Sequence, residues 1–443
     1  MVVYIVEDNH DDTALVWRRV APDGQVSAPL RIPLPALIRR IEKVHAIAVD
    51  ADGNTLVAHS TWYSPDENYQ GWPLETETEI LRIAEDGTLL GRLPIGASAE
   101  RVRLVAHGPL VDVAYDAEVE RPGDRAVYWR QIGADGAFIN APVRLSAPPD
   151  RDDPDLITGI WDVFLGVSDD GVARVLYRWV EGRVTGGAIE VTAGPEVFWH
   201  SVSSEGGASQ PVSLGLVPDG NESWSPAFAP DGTVCLASYQ GLLSLESRTS
   251  FPMPLVVAPQ GEVREAQRRT SPRLLSIWPG MQVGVGADAE SMFHVATFST
   301  TAFRRKVRSD HRVPAAVFLA TMDREGTVDR IRRYPMRRPQ YVSAFVVAED
   351  GTTAIAGVTE TPPVRPPAWR SANDVTVLFK GVDGRRPRGK TFRSPNPIGP
   401  NQPILASSTV AGSRRFAAAW STWLIPADEE KPANRQVRVA LFE

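Results

Sequence analysis

A tight turn, most often Asp-Gly between two alternating apolar runs, recurs at near-constant spacing through the 443-residue chain and limits its fold more than any other feature. The clearest copy is Trp224–Tyr239. Pro226, Phe228 and Pro230 lead into Asp231-Gly232, and Val234 and Leu236 alternate with smaller residues beyond it. Such a pattern predicts a hairpin with a two-residue turn, since Gly takes positive φ without strain. One series of turns comprises Asp52-Gly53, Gly108-Pro109, Asp170-Gly171, Asp231-Gly232, the corner Asp288-Ala-Glu290, Asp350-Gly351 and Gly412-Ser413. Successive members lie about 55 to 63 residues apart, a repeat period. A second series interleaves with it: Asp23-Gly24, Asp86-Gly87, Asp135-Gly136, Glu205-Gly206, Gln260-Gly261, Glu325-Gly326 and Asp383-Gly384.

Two turns per period make a unit of four short antiparallel strands, A to D. Alone, it cannot cover both of its faces. Such units pack face to face around an axis, so the expected fold is all-β, a seven-bladed β-propeller forming one domain over 1–443. The blades fall at 44–95, 101–146, 160–215, 223–266, 274–334 and 340–394, with a last blade built from 403–443 and 1–34. That blade closes the ring from both termini. Strand-like Val2–Val6 and Val437–Phe442 are left over and keep an eight-bladed alternative open. The hairpin Val44–His59 resembles that of NHL-type propellers, and Ser225–Leu245 is similar to a quinoprotein-type blade. Each resemblance spans one blade and implies the fold alone.

Composition narrows the function classes. A net charge of −7 argues against a general nucleic-acid binder or a binder of anionic membranes. No apolar run reaches membrane-spanning length, and the first residues lack a basic leader, so a cytoplasmic protein is expected. Lys occurs only at 43, 306, 380, 390 and 431; the Arg bias fits a GC-rich bacterial genome or an Arg-lined face. Cys235 stands alone in a strand, which predicts a buried, inert thiol.

In a propeller the B/C and D/A connections share one rim. Several B/C connections here are long and rich in aromatic and basic residues, as binding loops are. Candidates are Trp62, Tyr63, Tyr69 and Trp72 in blade one, Trp179 with Arg178 in blade three, and Arg304 and Arg305 in blade five. Blade six adds Arg365, Trp369 and Arg370, and the last blade adds Trp420 and Trp423. Ser-Thr-Trp recurs at 60–62 and 421–423, segments that ring closure would make neighbours; Trp62 and Trp423 could equally seal that seam. Trp, Tyr and Arg are the residues of interface anchors.

Catalytic signals are thin. The sequence has no Gly-x-Ser-x-Gly elbow and no P-loop. No His or Cys spacing would hold zinc, and the acidic runs 7–12 and 150–155 lack calcium-loop spacing. The inner ends of the A strands carry a mixed set: Glu42, Arg101, Asp162, Asn221, Gln282, Gln340 and Asn401. The expectation is therefore a non-enzymatic scaffold that binds a protein or peptide on the B/C rim, with no cofactor and no metal. The alternatives are a metal-assisted hydrolase or lyase using His59, His294 and nearby carboxylates in the axial funnel, or a lectin stacking a small-molecule or glycan ligand on Trp62, Trp369 and Trp423.

Overall fold

A computed structural model describes the backbone over residues 2–8, 12–19, 25–33, 41–63, 75–119, 123–146, 153, 155–185, 188–216, 224–238, 254–265, 267–268, 283–299, 316–335, 340–360, 373–380, 388–392, 404–410, 413–424 and 434–442. Every regular element among them is a strand. The chain divides into two compact units, Met1–Pro218 and Asp219–Glu443.

The first unit holds four sheets. They comprise β1 (Val2–Asp8), β2 (Asp12–Arg18) and β3 (Leu30–Pro33); then β4 (Ile41–Val49), β5 (Thr55–Tyr63), β6 (Glu75–Ile83) and β7 (Leu89–Ala97). Next come β8 (Glu100–His107), β9 (Leu110–Glu118), β10 (Arg125–Ile132) and β11 (Val143–Arg144), then β12 (Leu156–Val167), β13 (Ala173–Thr185), β14 (Ala188–Val202) and β15 (Val212–Leu216). Within each sheet the strands pair antiparallel in chain order, the meander of a propeller blade. Across sheets, β4 packs on β8 and β8 on β12, so the first strands stand side by side.

Period-two alternation explains this stacking. On one face of the second sheet Val57, Leu81 and Ile83 meet Trp17 and Ile32 of the first. The intervening Leu56, Ala58 and Ile80 point the other way, onto Val102, Leu104, Val111 and Val113 of the third. The far face of the third sheet then buries Trp129 and Val127 against Val163, Val175 and Tyr177 of the fourth. Both faces of a middle sheet are thus dry, and each fully buried Leu or Ile contributes about 1.5–3 kcal/mol.

The second unit repeats the plan with β16 (Trp224–Phe228), β17 (Val234–Ser238), β18 (Leu255–Val257) and β19 (Val263–Glu265), and then β20 (Gln267–Arg268), β21 (Val283–Ala287), β22 (Phe293–Ser299), β23 (Ala316–Met322) and β24 (Thr327–Pro335). The last two sheets are β25 (Gln340–Val347), β26 (Thr353–Glu360), β27 (Asn373–Lys380) and β28 (Arg388–Phe392), and β29 (Ile404–Val410), β30 (Ser413–Leu424) and β31 (Asn434–Phe442). Ala227, Cys235 and Val256 pack on Val285, Phe293 and Val295. Cys235 is fully buried and its thiol is pushed up by burial, an inert side chain. At Gly284 and Gly286 a Cβ would collide with Phe345 and Val347, so β21 and β25 approach as closely as they do because neither glycine has a side chain.

The all-β fold agrees with the sequence reading, with three differences. Most Asp-Gly turns are not two-residue loops. Asp50 and Asn54 close a three-residue loop, with Gly53 N–H donating to Asp50 O and φ +81° at the Gly. The Asp carboxylate accepts the N–H two residues on, as in Asp231 to Thr233 (2.9 Å) and Asp350 to Thr352 (3.0 Å), which is why Asp precedes the Gly. Two members of the series make two-residue turns, with His107 paired to Leu110 and Val410 paired to Ser413. Second, the described terminal strands form two separate three-stranded sheets, not one shared blade, which gives eight sheets among the described residues. Third, β20 adds a parallel fifth strand beside β24.

Candidate functional site

The first strands of three successive sheets are irregular near their starts. On β4 the register with β5 shifts between Val44 and Ala46, leaving His45 as the extra residue. On β8 the shift lies between Glu100 and Arg103, and on β12 between Ile160 and Asp162, where Trp161 is extra. A bulge bends its strand and re-aims the side chain at that point. Here the bulges gather around β8.

Arg101 is the centre of the cluster. Its backbone has φ +48°, and Ser98, three residues earlier, has φ +56°. Both are left-handed conformations that non-glycine residues rarely adopt and that surrounding bonds must hold. Arg101 Nε donates to the Trp161 carbonyl of β12 (2.8 Å), and its Nη1 donates to Glu100 (3.0 Å) and to Asp116 Oδ2 (2.9 Å). Asp116, 0 % exposed, also accepts from Arg125 Nε (2.5 Å), while Arg125 Nη2 holds the Ser98 carbonyl (2.7 Å). One buried carboxylate thus anchors two arginines that pin both strained residues. Asp116 Oδ1 has no partner.

Around this centre, Asp162 pairs with Arg178 (2.5 Å), whose guanidinium lies 5.1 Å from the Trp161 ring centre. Arg103 lies 5.9 Å from the Phe164 ring centre. His45 Nε2 bonds Ser60 Oγ (2.6 Å), and the chain continues through Thr78 (2.7 Å) to the Ala99 carbonyl. Burial, then Lys43, Arg103, His59 and Arg101 in that order, hold His45 down to about 3, so its imidazole stays neutral at ordinary pH. Glu100 and Asp162 remain 28 % and 31 % exposed. The cluster therefore offers two accessible carboxylates, an indole and several guanidinium groups at the starts of neighbouring strands.

The residues expected from the sequence fall differently. Trp179 lies within the long strand β13 and not in a B/C loop; its ring meets Phe198 edge-on (6.5 Å) and is part of the packing between sheets. Trp62 and Tyr63 end β5, with Trp62 opposite Ile41 and Thr76. Trp420 and Trp423 sit within β30, opposite Arg438 and Arg435. Tyr69, Trp72, Arg304, Arg305, Arg365, Trp369 and Arg370 lie outside the described residues.

The two histidines named for a funnel each bond a carboxylate. His59, 2 % exposed, bonds Glu79 (2.9 Å), which Arg92 also holds (2.5 Å). His294 is the second residue of β22, beside its A/B turn, and bonds Asp288 (2.9 Å). Among the described residues no group of three or more His, Cys, Asp or Glu could hold a metal ion. Arg101 and Asp162 were visible as strand-start residues; Glu100, Trp161 and Arg103 were missed. Their signal was an uncommon run of charge in Glu100-Arg-Val-Arg103, beside an inner strand that should be apolar.

No protein-family model matches the chain, and no curated protein matches it in sequence. Solved structures similar to it include an α-L-arabinanase from Penicillium chrysogenum bound to arabinobiose, at 9 % identity over 89 % of this chain and 92 % of that one, with a TM-score of 0.38. An ulvan lyase of a polysaccharide lyase family is similar at 9 % identity over 88 % and 90 %, TM-score 0.43. The α-L-arabinofuranosidase of Fusarium graminearum is similar at 9 % identity over 89 % and 92 %, TM-score 0.39. These similar structures are propeller enzymes, and neither NHL nor quinoprotein repeats are among them. They correct the expectation of a non-enzymatic scaffold for a protein partner, which is withdrawn.

Proposed function

We propose that the chain is an enzyme that cleaves a glycan at the cluster around Arg101, with Glu100 and Asp162 as its acid and base. The observation that carries this reading is the strained pair Ser98 and Arg101, held by Arg125 and Asp116 directly beside two accessible carboxylates. Backbone strain maintained by a dedicated buried network is a feature of sites where position matters more than stability. Glycosidic cleavage needs one carboxyl to protonate the leaving oxygen and a second carboxylate to take a proton or attack the sugar. Trp161 supplies an aromatic surface for a sugar ring, and Arg178 and Arg101 supply planar hydrogen-bond donors.

Glu100→Gln and Asp162→Asn, assayed against a panel of oligosaccharides for new reducing or unsaturated ends, should each lower turnover about 100-fold or more. Wild-type turnover retained in both variants refutes the assignment. One observation favours a lectin as the second reading: both carboxylates already pair with arginines, as groups that only orient a ligand do. Ligand binding without turnover in the wild type would select it.

A further inference from the structure

We propose that the ligand of this site is an acidic sugar, carrying a carboxylate or a sulfate ester, and that Arg103 receives the anionic group; this rests on the glycan reading above. The three carboxylates of the cluster are committed to other arginines. Asp116 takes Arg101 and Arg125, Asp162 takes Arg178, and Glu100 takes Arg101 at 3.0 Å and Arg125 at 3.9 Å. Arg103 has no carboxylate within ion-pair reach among the described residues. Its one hydrogen bond goes to the carbonyl of its own neighbour, Val102, at 3.2 Å. Yet it is half-buried, standing between the β8 and β12 strands with Phe164 beside it.

A guanidinium cannot lose its proton to escape burial, so partial desolvation without a counter-charge leaves an electrostatic demand that a ligand can meet. Arg101, Arg125 and Arg178 share Glu100, Asp116 and Asp162 in ion pairs, and Arg103 stands beside them outside those pairs. Burial holds the Arg103 guanidinium below its usual range; Asp162 opposes this, ahead of the smaller lowering by Arg101, and Asp116 opposes it further. A planar fork beside an aromatic ring suits a carboxylate or a sulfate bound through two oxygens.

The test is calorimetric titration of the full chain with glucuronate, glucose 6-sulfate and glucose, for wild type, Arg103→Gln and Arg103→Lys. At least one anion should bind about tenfold or more tightly than glucose, that margin should vanish in Arg103→Gln and survive in part in Arg103→Lys, and it should shrink with added salt. The carboxylate and sulfate arms separate the two sources of negative charge. Equal affinity for glucose, no binding of either anion, or a margin that persists in Arg103→Gln overturns the proposal. If Arg103→Gln does not fold, Arg103→Lys and the salt dependence decide it. Anion binding without cleavage of any oligosaccharide leaves this proposal standing and removes the enzymatic reading instead.

Discussion

Asp112 and His45 are both driven toward their neutral forms, and they tilt stability with pH in opposite directions. Asp112 is 0 % exposed on β9. Its Oδ1 accepts from Trp129 Nε1 (2.9 Å) and Gln131 Nε2 (3.2 Å), its Oδ2 has no partner, and burial pushes it up to about 6. A carboxyl whose pKa is raised on folding gives stability that is complete below the unfolded value and lost as pH climbs through about 6. Asp112→Asn keeps the acceptor and removes the charge. It should raise unfolding free energy above pH 7 by about 1–3 kcal/mol and flatten the slope between pH 4 and 6, read by urea unfolding. For His45, held down to about 3, the unfolded chain takes up the proton first, so its contribution is present above about 6.5 and falls as pH drops toward 3. His45→Gln should remove that acid-side loss. Neither residue declares itself in the sequence. Asp112, Ala114 and Asp116 alternate with Val111, Val113 and Tyr115 on β9 and read as a solvent face, but the next sheet covers them, so both carboxylates are buried.

At the scale of single elements, turns and glycines govern. The corner at Asp288 lacks the Gly of its relatives, and Ser291 takes its place at φ +60° with its N–H on the Asp288 carbonyl (3.1 Å). Ser291→Gly should stabilise the protein by about 0.5–1 kcal/mol, seen as a rise in melting temperature, because Gly adopts this φ without a Cβ clash. Gly286→Ala should do the reverse, by about 1–3 kcal/mol, since its Cβ would meet Val347 in the next sheet. Turn positions were legible because Asp-Gly encodes a local geometry that no distant contact has to confirm. The bulges at His45 and Trp161 were not legible. A bulge is a mismatch in register between two strands, and neither strand alone carries its signature.

For the whole molecule, the repeat period showed the sheet plan because every sheet solves the same burial problem. Pairing of the terminal strands was misjudged, since each end pairs with its own sequence neighbours and needs no partner from the other end of the chain. The net charge of −7 likewise hid a first-unit cluster dense in arginines, because a sum over 443 residues averages local fields away. We propose that 1–443 folds as one domain, which calorimetry should show as a single unfolding transition with matching calorimetric and van't Hoff enthalpies. Two resolved transitions would refute it. We propose that ligand is taken at the strained start of β8 and the neighbouring bulge of β12. Amide hydrogen exchange, with and without a saturating acidic oligosaccharide, tests it most directly. Ligand should slow exchange in 98–103 and 158–163; slowing confined to other segments, or none at all, would contradict the claim.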